Sequence, residues 1–120
     1  MELVVGDNYT RVGTVPYIVD GDTFDIDADL GFFVNIRIRI RVKGIDAPEL
    51  HGLNRKSALI SKQYLIDNIL NKKVFIISTA QDSFRRWVAD VYFNDSLGVQ
   101  HNLADDLFST GLATLNNFVK

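Results

Sequence analysis

A mainly β chain with two helices (α+β), closing as a five-stranded barrel with one helix inserted after the third strand and another near the C-terminal end, is the fold this sequence predicts. Three observations predict it: a strictly alternating apolar and charged run, four further strand-like segments bounded by turn residues, and one amphipathic helical stretch lying between the third and fourth strands. At 120 residues the expectation is a single domain over 1–120, because domains cluster near about 100–150 residues.

Residues 11–19 read as the first strand, broken by the turn chemistry of Asp20-Gly21-Asp22 and answered by a second strand from Thr23 to Ala28. From Phe32 to Lys43, Val34, Ile36, Ile38, Ile40 and Val42 alternate with Asn35, Arg37, Arg39, Arg41 and Lys43, the period of a strand with one inward face. A helix is expected from about Ser57 to Leu70, where Ala58, Leu65 and Ile69, with Ile66 and Leu70, make an apolar stripe and Asn71 and Lys72 suit a C-terminus. Lys73–Ser78 and Trp87–Phe93 are the last two strands, with Trp87 expected in the core. A short helix then opens at Asn102, a good N-cap, with Asp105 and Asp106 in its first turn and Gly111 placed to end it. Five strands with a helix after the third is the layout of an OB-fold, a partly open barrel that commonly binds oligonucleotides.

Composition narrows the chemistry. Apolar residues are 47% and charged residues 23% of the chain, which sets disorder aside. The chain contains no cysteine, so disulfides, zinc–thiolate sites and thiol nucleophiles are excluded, and any metal is held by oxygen or histidine. The net charge of −2 argues against a uniformly basic nucleic-acid binder, but Arg37, Arg39, Arg41 and Lys43 are clustered and Arg85 and Arg86 are adjacent, so a local basic surface is expected. Neither a signal peptide nor an apolar run of the ~18 residues needed to span a membrane is visible; no membrane association and a cytoplasmic location are the default expectation.

Three segments concentrate reactive residue types: Val19-Asp20-Gly21-Asp22-Thr23, Arg41-Val42-Lys43-Gly44-Ile45-Asp46-Ala47-Pro48-Glu49, and Asp82-Ser83-Phe84-Arg85-Arg86-Trp87-Val88-Ala89-Asp90-Val91-Tyr92. Singly each has an ordinary explanation: a turn, a solvated strand face followed by a helix entry, and surface charge. His51 and His101 stand apart from them, with surface or capping roles expected.

In order and spacing the three segments resemble the signature blocks of the staphylococcal nuclease (thermonuclease) family, and Asn102-Leu103-Ala104 with Gly111-Leu112-Ala113 resembles its last helix and exit. The resemblance runs over roughly residues 11 to 115. It implies a calcium-dependent nuclease acting on DNA or RNA and leaving 3′-phosphate and 5′-hydroxyl ends. Carried over residue by residue, Asp22, Asp46 and the Ala47 carbonyl would hold Ca²⁺, a hard oxygen site. Glu49 would orient or deprotonate the attacking water, and Arg41 and Arg86 would grip the phosphate with two parallel donors each. Asp20 and Thr23 would orient Asp22. Phe84 and Arg85 are expected beside the substrate, Phe84 as a base-stacking ring or equally as a core plug.

The sequence departs from the family in four places. Position 85 is usually Gly in relatives, which leaves Arg85 as a rival to Arg86 for the second phosphate contact, although Trp87-Val88-Ala89 follow Arg86 as the family strand does. The stretch Leu50-His51-Gly52-Leu53-Asn54 is shorter than the basic loop of the type member. Asn117 and Phe118 stand where that protein has tyrosines. The chain given ends before a third helix, which predicts modest stability or compensation by self-association, with a monomer as the default. The alternative function is a non-catalytic OB-fold module binding nucleic acid or protein.

Overall fold

The computed structural model describes residues 9–50 and 55–116. Strands β1 (Tyr9–Asp20), β2 (Thr23–Asp29) and β3 (Asn35–Val42) form an antiparallel meander. The two-residue strand β4 (Ile45–Asp46) follows, then helix α1 (Arg55–Ile69), strands β5 (Lys73–Gln81), β6 (Trp87–Asn94) and β7 (Gln100–Asn102), helix α2 (Leu103–Ser109) and a last short strand β8 (Thr114–Leu115). β5 pairs antiparallel with both β1 and β6, and β6 pairs parallel with β3, so the five long strands close on themselves. These are the five strands expected, in the connectivity of an OB barrel. The additions are β7 on the edge of β6 and a separate β4–β8 ribbon.

Alternation decides the core. Phe24 and Ile26 of β2, Ile40 and Val42 of β3, and Ala89 and Val91 of β6 are all buried, while Arg37, Arg39 and Arg41 stand on the outer side of β3. Arg37 and Arg39 are neutralised across the ladder by Asp27 and Asp25 at 2.7 and 2.8 Å, the charge pairs that opposed strands favour. Helix α1 seats Ala58, Leu65 and Ile69 against the barrel as its stripe requires, but also buries Ser61. That hydroxyl donates to the Leu112 carbonyl at 2.5 Å and so ties α1 to the segment leaving α2. Asn71 takes the left-handed conformation (φ 61) at the end of α1. Asn102 caps α2, its side chain accepting from the Asp105 amide, and Gly111 (φ 76) follows the helix. Trp87 packs against the core without being enclosed, its ring edge-on to Tyr9 at 5.2 Å.

Several element ends differ from expectation: β1 begins at Tyr9, α1 begins at Arg55 rather than Ser57, and β5 runs on to Gln81 rather than Ser78. The third strand begins at Asn35 rather than Phe32, because Gly31, Phe32 and Phe33 adopt φ of 84, 54 and 64 and make the hairpin turn instead. The inward alternation also fails at that end: Val34, part of the turn, and Ile36, which lines an open hollow, are about half exposed, 52% and 47%. None of the helices among the described residues is long and apolar enough to cross a membrane.

Pairing positions the three reactive segments. The β1–β2 turn and the end of β3 lie at the same mouth of the barrel, because Thr23 pairs with Arg41. The parallel match of Arg41 with Val88 brings the start of β6 alongside β3, with Arg86, the residue before β6, level with Arg39. The β2–β3 turn lies at the opposite mouth.

Candidate active site

Gly21 sits in the β1–β2 turn where a Cβ would lie 2.6 Å from the Ser61 Cβ and 2.8 Å from the Ala47 Cβ. No larger residue fits between α1 and Ala47, so the glycine sets how deeply Asp22 enters the mouth. The Asp22 amide donates to Asp20 Oδ1 at 3.0 Å, closing the turn. The Thr23 hydroxyl donates to Asp22 Oδ1 at 2.9 Å, and the Ala47 amide donates to Asp22 Oδ2 at 2.9 Å.

Arg41 joins the two carboxylates. Its NH1 lies 3.5 Å from Asp22 Oδ2 and donates to the Val42 and Ile45 carbonyls, both at 2.8 Å, while its NH2 donates to Asp46 Oδ1. The Asn116 side-chain amide donates to that same Asp46 oxygen at 3.0 Å, and the Asn116 backbone amide to the Gly44 carbonyl at 2.9 Å. Asp46 is otherwise half open to solvent. Asp22 is 8% exposed, and burial together with the neighbouring Asp20 carboxyl pushes its pKa up to about 6 despite the Arg41 charge.

Glu49 is exposed in the segment after β4, and Pro48 before it lines a cleft of about 250 Å³ with Asp46, Ala47 and residues Gly111 to Thr114. Arg86 is held differently from Arg41. Its Nε donates to Asp82 Oδ2 at 2.7 Å and its guanidinium lies 5.3 Å from the centre of the Phe84 ring, a cation–π contact that leaves the ring 76% exposed. Phe84 is therefore on the surface and not a core plug. Val88 stands on the outer side of β6 opposite Arg41 on β3, with Arg86 two residues before it just ahead of the strand, while the inward side carries Ala89 and Val91. Arg85 is exposed at the αL position of the turn, φ 65, which is the physical reason a glycine suits this position.

The structure thus brings Asp20, Asp22, Thr23, Arg41, Asp46 and Ala47 into one contact network, while Arg86 is bonded to Asp82 outside it and Glu49 stands exposed beyond Pro48. Among the described residues, no group of three or more His, Asp or Glu side chains converges in metal-binding geometry. The donor chemistry nonetheless fits a hard divalent cation: two carboxylates, Asp22 from the β1–β2 turn and Asp46 from β4, converge on one guanidinium. Ser61 and Asn116 escape sequence reading, because an isolated serine on an apolar stripe and an asparagine past the last helix carry no spacing signal. His51, Asn117 and Phe118 lie outside the described residues.

His101 is not isolated. Its Nδ1 is 2.8 Å from Asp106 Oδ2 and its Nε2 is 2.9 Å from Asp95 Oδ2, with its ring stacked on Phe93 and the Tyr64 hydroxyl donating to the same Asp106 oxygen at 2.9 Å. The two carboxylates raise its pKa, and His101 lowers that of Asp95. A raised histidine stabilises fully below its unfolded value near 6.5 and loses that contribution as pH rises through the folded value, whereas the Asp95 share is lost only below about 3.8. Melting temperature is therefore expected to fall as pH rises from 6 to 9, and His101→Gln is expected to flatten that slope.

An OB-type barrel with an acid–guanidinium cluster at one mouth is the class that fold and site define. The chain belongs to the staphylococcal nuclease family: the family model described as "Staphylococcal nuclease homologue" matches residues 39–120. That stretch contains Arg41, Asp46, Ala47, Glu49 and Arg86; the Asp22 turn lies upstream of it and is tied to it by the contacts above. The chain is similar to proteins described as "Probable endonuclease lcl3" in Aspergillus flavus and Aspergillus oryzae, in each case 28% identical over 86 residues, covering 65% of this chain. It spans only 31% of the length of those relatives.

Proposed function

We propose that this chain is a calcium-dependent nuclease that hydrolyses phosphodiester bonds of DNA or RNA and leaves 3′-phosphate and 5′-hydroxyl ends. The observation that carries the reading is Arg41 held between Asp22 and Asp46 at a barrel mouth in a member of this family.

The roles follow from charge and placement. Arg41 on β3 and Arg86 just ahead of the neighbouring β6 would each offer a guanidinium to the phosphate as negative charge builds in the transition state. Glu49, exposed and adjoining the cleft beside Asp46, takes the proton of the attacking water. Asp22, Asp46 and the Ala47 carbonyl would hold the cation, which when bound supplies positive charge against the scissile phosphate. Thr23 and Asp20 keep the Asp22 carboxylate in place, and Phe84, open to solvent above Arg86, offers a ring for a substrate base.

The test is cleavage of labelled single-stranded DNA and RNA with Ca²⁺, with Mg²⁺ and with chelator, for the wild-type chain, Glu49→Gln and Arg86→Ala. Calcium-dependent cutting that falls by orders of magnitude in both variants supports the assignment. Oligonucleotide binding without cutting under any metal would instead make the barrel a binding module.

Arg85→Gly separates the adjacent arginines. Removing a left-handed side chain from an exposed turn is expected to stabilise the fold by about 0.5–1 kcal/mol in chemical denaturation. Cleavage is expected to stay within a few-fold of wild type, because Arg86 and not Arg85 is oriented by Asp82.

A further inference from the structure

The barrel mouth opposite the candidate active site carries a knob and a socket. The knob is the β2–β3 turn, where Phe32 and Phe33 are 99% and 104% exposed and both hold positive φ. A left-handed conformation costs a bulky residue about 1–2 kcal/mol, and neither ring is buried against the protein in return. The turn itself is well made: the Leu30 amide donates to the Val34 carbonyl at 2.8 Å, the Val34 amide to Gly31 at 2.9 Å, and the Gly31 amide to Asp29 Oδ1 at 2.7 Å. Beside it lies the socket, an apolar hollow of about 240 Å³ lined by Tyr9, Leu30, Ile36, Ile38 and Trp87 among others. Leu30 belongs to both features.

We propose that this end of the barrel is a self-association surface, in which the Phe32–Phe33 knob of one copy enters the socket of a second copy and the second returns the contact. Complementary shapes beside each other on one surface are what a two-fold interface needs, since each patch must fit its own image. The area is adequate. Two exposed phenylalanines offer roughly 300–500 Å², and the half-exposed Leu30, Val34, Ile36 and Tyr9 extend each side toward the ~800 Å² of a standard interface. The concave socket distinguishes this surface from an apolar wedge alone. β2 is 7 residues long, about 23 Å of strand, so association here leaves the Asp22 turn at the outer end of each copy. The inference does not depend on the nuclease reading.

The experiment is sedimentation equilibrium of the full chain over a wide concentration range, with Trp87 emission followed on dilution; Trp87 is the sole tryptophan and lines the socket. Two variants accompany it: Phe32→Asn with Phe33→Gly, residues that suit a left-handed turn, and Ile36→Glu at the socket rim. The expected result is a wild-type mass of twice 13.5 kDa at high concentration, a red shift of Trp87 as the pair dissociates, and monomers for both variants. Wild-type chain that stays monomeric throughout, or variants that associate as tightly as wild type, overturns the proposal. Monomeric wild type whose Trp87 emission shifts on phosphatidylcholine vesicles, with the shift lost in the phenylalanine variant, assigns the knob to a lipid surface and overturns it equally.

Discussion

Arg41→Ala is expected to lower phosphodiester cleavage about 100- to 1,000-fold, the range seen when a single transition-state donor is removed, and to lower stability as well. The two losses have separate causes. On the proposed reading the guanidinium would supply two parallel donors to a phosphate that gains negative charge on the way to the pentacoordinate state, and alanine would supply none. In the free protein the same group braces the β3–β4 turn through the Val42 and Ile45 carbonyls and balances Asp22 and Asp46. Without it, two acceptors and a buried carboxylate are left uncompensated, which costs on the order of 3–5 kcal/mol where one partner of a buried pair is deleted. Arg41→Lys distinguishes charge from geometry: it keeps the positive end but not the fork, so it is expected to recover much of the stability and little of the rate. Single-turnover cleavage and urea denaturation on the same preparations measure both, and activity within a few-fold of wild type for Arg41→Ala would remove Arg41 from the reaction.

Asp22→Asn is expected to abolish cleavage while making the metal-free protein more stable. Burial and the Asp20 carboxyl raise the Asp22 pKa to about 6, so the folded state holds a proton that the unfolded chain releases near 3.8. The penalty is absent below pH 4, grows between about pH 4 and 6, and is constant above, where a shift of this size corresponds to about 3 kcal/mol. Asparagine removes it and keeps the local bonds: its carbonyl accepts from the Ala47 amide, and the Thr23 hydroxyl can turn to accept from its NH₂ group. Thermal melts at pH 4 and pH 8 test the sign, with the variant's advantage confined to the higher pH. Calcium is expected to raise the wild-type melting temperature more than the variant's, because a ligand stabilises only the state that binds it. A variant that gains nothing at pH 8 would show that Asp22 is comfortably ionised in the apo protein.

Most of the fold was legible from the chain. The five long strands, the helix after the third and the Asn102 cap follow from period, turn residues and capping chemistry. The third strand starts later than residue types suggest, because Phe32, Phe33 and Val34 look like strand residues while the turn depends on successive left-handed conformations at Gly31, Phe32 and Phe33. The candidate site was legible as three segments and not as an arrangement. Asp22, Arg41 and Asp46 each had an ordinary local explanation, and their spacing in the chain says nothing about their separation in space.

What the sequence by itself determined is what acts between near neighbours: the alternation that turns Ile40 inward and Arg41 outward, the Asp20-Gly21-Asp22 turn, the end of α1 at Asn71, and the absence of any thiol chemistry. Only the tertiary structure decided that Arg41 is shared by Asp22 and Asp46, that Ser61 and Asn116 support that cluster, and that His101 lies between Asp95 and Asp106. It also set a knob and a socket side by side at the far mouth. The reason is the parallel β3–β6 pairing and the closure of the barrel, which join residues far apart along the chain; contacts made across such distances leave no periodic trace in the sequence.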